Sequence, residues 1–498
     1  MLHRYQPFDN EWVTFSIILF FILFLIGFSE LVRKRLDWSP EINRKIIHVF
    51  VGTVILFCPF VFTSKIPLQL LAIIFIVVNL VTLITGKLPG IHSIKRKSYG
   101  TVFFPISVLI LVTFWWDRPA SFIIPILLMT YADTLAAVIG ERSKTSEIYI
   151  GWRDEKTIQG SIVMFLVSTV LVGFGISLIT QLVGGIAPEL KTIIPLSIFV
   201  GAIATTAEGI SFKGSDNLTV PISTAVSIDL FLNRAETGEI LVFLLWVLLA
   251  LLLTQGAYQL KSLTSAGAMG AFIMGIFVFG IGGWKFMVPL STFFVLSSIL
   301  SKYGKRKKES FKSIAVKGSQ RDVTQVFANG GIPLILTILW FYSPSDLLYI
   351  LFIGSLAAAT ADTWGTEIGF FSKAAPRSIS TFKSVVRGTS GGVTFLGTFG
   401  SLLGSTILAA SAFLFIDDPQ ILIFVVIAGF IASLVDSLLG ATVQASYECS
   451  RCHRPTEVQV HCDNQANLIS GIKWISNDTV NLICTFTGAG LGWVFVGL

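Results

Sequence analysis

The segment ATADTWGTEIG (residues 359–369) places two acids, Asp362 and Glu367, inside one of the most apolar parts of the chain. An earlier segment, MTYADTLAAVIG (residues 129–140), has the same Ala-Asp-Thr sequence, followed at the same spacing by Ile-Gly. An ionisable side chain within a membrane-spanning helix costs about 2.5–3.5 kcal/mol on insertion scales, and it normally faces the interior of a helix bundle. The recurrence therefore predicts two functional sites inside a helical membrane protein.

The composition supports the same fold class. Hydrophobic residues make up 53% of the 498 positions and charged residues only 13%, which excludes an ordinary soluble domain. The apolar runs, each long enough to cross a hydrocarbon core of roughly 30 Å as a helix, number about sixteen. We therefore predict an all-α, polytopic bundle of about 16 transmembrane helices.

The net charge of +7 is concentrated in alternate loops between the apolar runs. By the positive-inside rule these loops face the cytoplasm, which predicts an integral protein of a bacterial inner membrane. Contact with lipid headgroups explains such loops, and nucleic-acid binding is excluded in so apolar a chain. The basic loops comprise residues 33–45, 95–97, 142–156, 302–321 and 373–387.

The chain also contains a second copy of its own polar pattern. Matching residues of the two copies are separated by a nearly constant number of positions. The pairs are Asp133 with Asp362, Lys156 with Arg387, and Glu208 with Asp436. Asp216-Asn217 matches Asn477-Asp478 only if the second copy carries an insertion, which is a Cys-rich cytoplasmic loop at residues 446–475. An even number of spans in each copy gives both the same orientation. We therefore predict two parallel repeats of about eight spans, residues 1–238 and 239–498.

These residue types are those that phosphoryl transfer requires. Carboxylates hold Mg²⁺, a cation offsets phosphate charge, and glycines let backbone N–H groups approach phosphate oxygens. The first copy offers Asp133, Glu208, Asp216 and Asn217, then Lys156 and Gly160; the second offers Asp362, Asp436, Asn477 and Asp478, then Arg387, Gly388, Gly391 and Gly392. We assign Mg²⁺ to Asp133 and Glu208 in the first copy and to Asp362 and Asp436 in the second.

A purely structural interpretation is open for each of these residues. The acids pair with Lys or Arg as buried ion pairs in that interpretation, and the glycines permit close helix packing. The acids lie toward the predicted cytoplasmic ends of their spans, whereas a transporter more often holds its acids near the midplane. Asn43, Arg44, Lys45 and His48 are weaker candidates for phosphate contact or interfacial anchoring.

The predicted cytoplasmic loop ECSRCHRPTEVQVHC contains a possible metal site. Cys449, Cys452, His461 and Cys462 are four ligands in a short hairpin, which suits tetrahedral Zn²⁺, and His453 is an alternative to His461. A reduced hairpin without metal and a redox pair are the other interpretations. The first copy contains no C-x-x-C pair, so zinc is not part of what the two copies share.

Two stretches resemble known families. Residues from about 40 to 235, with KSYGT, ADTLAAVIG, EKTIQGS and SDNLTVP, resemble the polyprenol kinase family that contains dolichol kinase and phytol kinase. Residues from about 260 onward resemble the family that contains phytyl-phosphate kinase, through LTSAGAMGAFIMG, ADTWGTEIG, RGTSGGVT, the Cys loop and NDTVN. Ala132 departs from the first family, in which Gly is common before the Asp, and this leaves lipid and nucleotide preference open.

The resemblance implies a fusion of two membrane lipid kinases that act on the cytoplasmic side. One half would convert an isoprenoid alcohol such as phytol, farnesol or geranylgeraniol to its monophosphate, and the other would make the diphosphate. It also implies CTP as the phosphoryl donor, with ATP as the alternative. Two further functions stay open: a membrane cytidylyltransferase that makes a CDP-lipid, and a secondary transporter built from parallel repeats.

Overall fold

A computed structural model describes residues 5–85, 98–143, 148–150, 154–310, 320–453 and 455–496. The chain forms two compact units, Met1–Val242 and Phe243–Leu498, which we call the first and second units. The break lies close to the boundary expected from the sequence, and the assignment of a separate activity to each unit stays a prediction.

The first unit is built from helices, with one short hairpin. Its helices are α1 (Glu11–Leu36), α2 (Pro40–Val61), α3 (Ile66–Thr85), α4 (Gly100–Phe114), α5 (Pro119–Leu127), α6 (Asp133–Arg142), α7 (Ile158–Leu182), α8 (Leu190–Gly209) and α9 (Asp216–Glu236). A π-helical turn, Leu128–Ala132, joins α5 to α6. Strands β1 (Ile148–Ile150) and β2 (Glu155–Thr157) pair antiparallel just before α7.

Helix ends in the first unit are set by polar side chains. Asn10 accepts a hydrogen bond from the Trp12 amide at 2.9 Å to begin α1, and Ser39 caps α2 ahead of Pro40. Such caps satisfy amides that have no partner within the helix. Because a helix pairs its remaining backbone groups internally, apolar segments of this length are suited to hydrocarbon surroundings.

The second unit contains a longer set of helices and two small sheets. Its helices are α10 (Ile240–Gln259), in which the break between the units falls, α11 (Ser265–Ser310), α12 (Val323–Tyr342), α13 (Asp346–Gly369), α14 (Phe395–Ser411), α15 (Pro419–Thr442) and α16 (Asn477–Val496). Helix α11 is interrupted at Gly283, where φ is +55°. A 3₁₀ turn, Phe413–Phe415, follows α14.

The strands of the second unit lie in the loops that flank α14 and α15. Strands β3 (Arg377–Ser378) and β4 (Gly392–Val393) form an antiparallel pair just before α14. Strands β5 (Ser446–Cys449), β6 (Pro455–Thr456), β7 (Val460–His461) and β8 (Asn464–Ser470) form an antiparallel sheet in the order β6-β5-β8-β7. The fold is therefore mostly helical, and its short strands lie in loops between the helices.

Helix α13 lies at the centre of the second unit, in contact with α11, α12, α14, α15 and α16. Small buried residues make this possible, since Gly354 approaches the backbone of Gly488 and Ala357 approaches Gly429. In a membrane, small residues let helix backbones come close and gain van der Waals contact. The central position of α13 places Asp362 in the interior of this unit.

Within the described residues, eleven helices are long and apolar enough to cross a membrane. Two shorter apolar helices, Gly100–Phe114 and Phe395–Ser411, fall below that length. The chain is thus a polytopic membrane protein by length and composition. The expected count of about 16 spans in two parallel repeats is not reached on these criteria and stays a prediction.

A buried polar cluster in the first unit was not anticipated from the sequence. Asp229 on α9 accepts hydrogen bonds from the Trp115 indole at 2.9 Å, from Arg118 at 2.8 Å, and from the Ser121 hydroxyl. These donors satisfy a charged group that would otherwise be costly to bury. The cluster joins α9 to the segment between α4 and α5, and we interpret it as structural.

Candidate active site

Three carboxylates meet in the first unit. The sequence assigns two of them to Mg²⁺ and the third to a cofactor contact, and these roles stay predictions. Asp133 begins α6, Glu208 lies in the last turn of α8, and Asp216 begins α9. One oxygen from each lies within 4.8 Å of the others. Oxygen ligands in this number are those that Mg²⁺ prefers, so the three residues fit such an ion.

Lys156 on β2 is the counter-charge of this carboxylate group. Its ammonium pairs with the Glu208 carboxylate, donates to the Ser211 hydroxyl at 3.0 Å, and lies 3.8 Å from an Asp216 oxygen. Burial lowers the pKa of Lys156, but the neighbouring carboxylates of Glu208 and Asp216 outweigh it and hold the pKa above its usual value. The lysine therefore stays charged next to the acids.

The π-helical turn before Asp133 has a defined partner. The His48 ring, on α2, lies with Nε2 3.1 Å from the Met129 carbonyl oxygen within that turn. A π turn inserts one extra residue into a helix and rotates the residues after it, and such turns are frequent at functional sites. The contact lies one turn before Asp133, and His48 lines the same cavity as Asp133.

Gly160 has a packing role in the structure. Its amide donates to the capping hydroxyl of Thr157 at 3.2 Å, and a Cβ at this position would lie 3.2 Å from the Ala136 carbonyl oxygen. Gly140 faces it, with the two Cα positions close enough that a Cβ on either would crowd the Thr157 hydroxyl. Gly160 thus lets α6 and α7 meet at the site, and a direct phosphate contact stays a prediction.

Two loops meet tightly at the start of α4 and α9. The Tyr99 amide donates to the Lys213 carbonyl at 2.8 Å. Gly214 has φ +87°, and a Cβ at this position would lie 2.6 Å from the Gly100 nitrogen. Asn217, expected to contact a cofactor, donates through Nδ2 to the Gly214 carbonyl at 3.3 Å. The two helices begin here without a side-chain cap, and helix N-termini favour anions such as phosphate.

These residues line one cavity of about 410 Å³ in the first unit. Its polar end lies where α2, α4, α7 and α9 begin and where α6 and α8 end, and it includes Arg44 and Lys213. The remaining wall is apolar and comes from α1 to α4 through Ile22, Ile26, Val51, Ile55, Leu71, Phe75, Phe104 and Val108. The cavity therefore joins a charged end to a hydrocarbon-like wall.

The acids of the second unit are arranged differently. The carboxyl groups of Asp362 on α13 and Asp436 on α15 lie next to each other. The second oxygen of Asp436 is buried without a hydrogen-bond partner. Two carboxylates in contact repel unless a proton or a cation lies between them. A cation could lie between these two carboxyl groups, and the assignment of Mg²⁺ to them stays a prediction.

The glycine-rich loop beside this pair packs on α15. Gly388 and Gly391 have φ values of +86° and +73°, and a Cβ on Gly391 would lie 2.5 Å from the Ser437 carbonyl oxygen. Gly392 belongs to β4. Arg387 donates from Nη2 to the Lys373 carbonyl at 3.0 Å, so the contact described for it lies within its own loop. A phosphate contact of Arg387 stays a prediction.

Asn477 and Asp478 form the first turn of α16, and Asp478 is buried. In the described part of the chain, a group of three clustered carboxylates occurs in the first unit and not around Asp362. Glu367, one turn beyond Asp362 and likewise buried, accepts from the Ser301 hydroxyl at 2.9 Å. The second unit thus has buried acids on three helices, without the compact triad of the first.

The predicted zinc ligands converge. The ligand atoms of Cys449, Cys452, His461 and Cys462 lie within 4.8 Å of one another. His453, the alternative ligand, is exposed and contacts Glu448, with Nδ1 3.2 Å from the carboxylate. The Cys452 amide and the His461 ring lower the pKa of the Cys449 thiol to about 6, which favours thiolate at neutral pH.

Several site residues were missed by sequence reasoning. Ser211 joins Lys156 to Asp216, since its hydroxyl accepts from the lysine and lies 3.3 Å from an Asp216 oxygen. Gly214 and Gly100 are required by the close approach of two loops. The signal in the sequence was the short run with Ser and Gly between Glu208 and Asp216. Such a run favours a turn between two helices, which keeps the two acids close together.

Known proteins share parts of this chain. Residues 248–489 match the family described as integral membrane protein DUF92. An uncharacterized membrane protein of Methanocaldococcus jannaschii is 32% identical over 232 residues, which are 47% of this chain and 85% of that protein. Protein PGR of Arabidopsis thaliana is 31% identical over 263 residues, 48% of this chain and 90% of that protein.

A phytol kinase of Synechocystis sp. is also similar. It is 31% identical over 229 residues, which are 43% of this chain and 90% of that protein. Each of these three matches spans less than half of the present chain. No solved structure matches the chain.

Proposed function

Because this chain belongs to the integral membrane protein family DUF92 and is related to a phytol kinase, we propose that it is an isoprenoid lipid kinase. The first unit phosphorylates an isoprenoid alcohol to its monophosphate, and the second converts the monophosphate to the diphosphate. The donor is CTP, with ATP as the alternative, and both sites face the cytoplasm from a bacterial inner membrane.

One observation carries the first step. The cavity of the first unit joins a carboxylate and lysine cluster to an apolar wall within about 410 Å³. A lipid alcohol needs both, because its chain must stay in apolar surroundings while its hydroxyl reaches a charged phosphate. The polar end combines basic residues with helix N-termini, which suits nucleotide phosphates.

The chemistry of the first step needs few protein groups. The lipid hydroxyl oxygen attacks the γ-phosphorus, a new O–P bond forms, the bond to the β–γ bridging oxygen breaks, and the nucleoside diphosphate leaves. The hydroxyl proton passes to a carboxylate of the triad. Lys156 offsets negative charge on the transferring group, which stabilises charge that develops in the transition state.

Asp133, Glu208 and Asp216 would hold Mg²⁺ in this site. When bound, such an ion neutralises the charge of the nucleotide phosphates and orients them. The residues fit the ion because three carboxylate oxygens of the chain converge, with a single lysine as partner. In the absence of nucleotide the lysine ammonium would offset the repulsion between these carboxylates.

The second step uses the same type of chemistry. A phosphate oxygen of the monophosphate attacks the donor, and the product is the diphosphate with release of the nucleoside diphosphate. Asp362 and Asp436 would hold Mg²⁺ there, Asn477 and Asp478 would contact the nucleotide from the start of α16, and the Gly388–Gly392 loop with Arg387 would bind the phosphate of the lipid. The planar guanidinium is suited to that contact.

The test supplies purified protein with phytol, farnesol or geranylgeraniol and with CTP or ATP labelled at the γ-phosphate. We expect wild type to give the diphosphate, Asp362→Asn to accumulate the monophosphate, and Asp133→Asn to act only on supplied monophosphate. Equal loss of both steps in both variants, with unchanged thermal stability, would contradict the two-site assignment.

The same experiment separates the competing functions. A cytidylyltransferase would release pyrophosphate and leave CMP on the lipid product. A secondary transporter would move substrate across sealed vesicles without consuming nucleotide. Either result would overturn the kinase proposal.

A further inference from the structure

The sheet β6-β5-β8-β7 has a small interior for its size. Its strands are two to seven residues long, and most side chains of β8 are exposed, Leu468 and Ile469 among them. A sheet that buries so little apolar surface needs another source of stability, which in small folds is a disulfide or a metal ion. The cysteines of this sheet are free thiols.

The four ligand atoms have distances suited to one metal ion. Nδ1 of His461 lies 3.5 Å from the Cys452 sulfur and 3.3 Å from the Cys462 sulfur. A tetrahedral zinc with bonds of about 2.3 Å to sulfur and about 2.0 Å to nitrogen separates those atoms by roughly 3.5 Å. The same ring nitrogen therefore faces two sulfurs at the separation that a shared ion produces.

The backbone around the ligands is also shaped for a metal. The Arg451 amide donates to the Cys449 sulfur at 3.4 Å, which stabilises negative charge on that sulfur. His453, Cys462 and Asp463 have φ values of +50°, +54° and +61°. Left-handed conformations at residues other than Gly are unfavourable and persist where the surroundings impose them. Each of these three residues directly follows a ligand residue.

We propose that Cys449, Cys452, His461 and Cys462 bind one structural Zn²⁺ ion that holds this sheet together. Three sulfurs and one imidazole form a closed tetrahedral set, which is typical of structural and not catalytic zinc. His453 lies outside the set because its ring contacts Glu448.

The sheet is connected to the candidate site of the second unit. Glu457, between β6 and β7, accepts a hydrogen bond from the Ser390 hydroxyl, and Ser390 accepts one from the Gln444 side chain at 3.0 Å. Ser390 belongs to the loop whose Gly391 packs on α15, the helix of Asp436. The ion would thus support the glycine loop from a distance. This connection rests on the proposed function, whereas the metal site does not.

The experiment uses the full chain purified in detergent. We expect elemental analysis to find about one zinc per chain, and His461→Asn to lose it. His453→Asn is the matched control, because Asn tolerates the left-handed backbone of that position and the residue is not a ligand; it should keep its zinc.

A second measurement on wild type avoids the question of misfolded variants. Mass spectrometry after alkylation should find Cys449, Cys452 and Cys462 protected, and a strong chelator should make all three reactive. Buried Cys58 and Cys484 should not change. Absence of stoichiometric zinc, iron in its place, a disulfide among the three cysteines, or alkylation that ignores the chelator would each overturn the proposal.

The metal site and the kinase proposal can fail separately. Zinc content should be the same in wild type and in Asp362→Asn, because Asp362 is not a ligand. Zinc present without phosphoryl transfer would leave the metal site standing and reject the proposed function. Phosphoryl transfer in a chain without zinc would support the proposed function and reject the metal site.

Discussion

The two units hold their buried acids in opposite ways. In the first, Lys156 lies among the carboxylates and pairs with Glu208. In the second, Asp362 and Asp436 contact each other, and Arg387 donates to a carbonyl in its own loop. A charged group in low dielectric needs a partner. The first site therefore carries part of its neutralising charge on Lys156, whereas the Asp362–Asp436 pair would need a proton or a bound cation between its two carboxyl groups.

The local framework around the two sites is otherwise similar. Thr157 caps α7 by accepting from the Gly160 amide, and Thr394 caps α14 by accepting from the Gly397 amide at 3.0 Å. A two-stranded hairpin precedes each helix. Lys156 stands directly before the first cap, whereas Val393 stands directly before the second. The residue before the helix cap is thus charged in the first unit and apolar in the second, although the sequence pattern pairs Lys156 with Arg387.

The largest expected effect is on catalysis in the first unit. Lys156→Met should slow formation of the monophosphate by about 10²–10³-fold, because a cation next to the transferring phosphate is lost. Conversion of supplied monophosphate to diphosphate should not change. The readout is the rate of each step with labelled donor. Val393→Met is the matched control, and an equal loss from that variant would remove the proposed contrast between the units.

The next effect is on stability away from both sites. Asp229→Ala should lower the stability of the first unit by about 3 kcal/mol, since Trp115, Arg118 and Ser121 lose their common acceptor. Thermal unfolding in detergent measures it. Arg118→Met should have a smaller effect, because the Arg118 side chain is 51% exposed and water replaces part of the contact. The second step should persist after the first unit unfolds if the units are independent.

A third change tests whether the lysine depends on its acids. Glu208→Gln should destabilise the first unit by roughly 2 kcal/mol, because it removes the main partner of a buried ammonium, although Ser211 and Asp216 still contact it. The melting temperature in the presence of a chelator of divalent ions is the measurement. An unchanged melting temperature would show that Lys156 is not held by this pair.

The smallest effect has the opposite sign. Asp436→Asn should leave stability unchanged or raise it by about 1 kcal/mol in the same chelator, because the amide can donate to Asp362 and removes the repulsion. The second kinase step should be lost in the same variant. A decrease in melting temperature equal to that of Glu208→Gln would mean that the two units balance their charges alike.

The convergence of the acids in the first unit was predictable from the sequence. Glu208 and Asp216 lie at helix ends, and Asp133 lies within the segment Pro119–Arg142, toward the end that the charge pattern assigns to the same side of the membrane. Ionisable side chains in apolar helices normally face the interior of the bundle or a water-filled cavity, so acids on neighbouring helices of one unit are expected at the same cavity. The same reasoning brought together the four candidate zinc ligands, whose spacing restricts them to one hairpin.

Other features depend on partners distant in the chain. The π turn at residues 128–132 forms against His48, which lies on another helix, so no local pattern indicates it. Strands of two or three residues are too short to show alternation. Asp229 lies in the apolar segment of α9 and has no recognisable role until Trp115 and Arg118 are brought to it by packing.

The interruption of α11 at Gly283 determines how this long helix fits the thickness of a membrane. Its 46 residues would form a straight rod of about 69 Å, more than twice the thickness of a hydrocarbon core of about 30 Å. Gly283 has φ +55° and ψ −144°, a combination that is essentially restricted to glycine, and a Cβ there would be in ordinary contact with the Trp246 ring at 3.8 Å. The missing methyl group of Gly283 thus divides the rod into two shorter helical segments, each closer in length to the thickness of the hydrocarbon core.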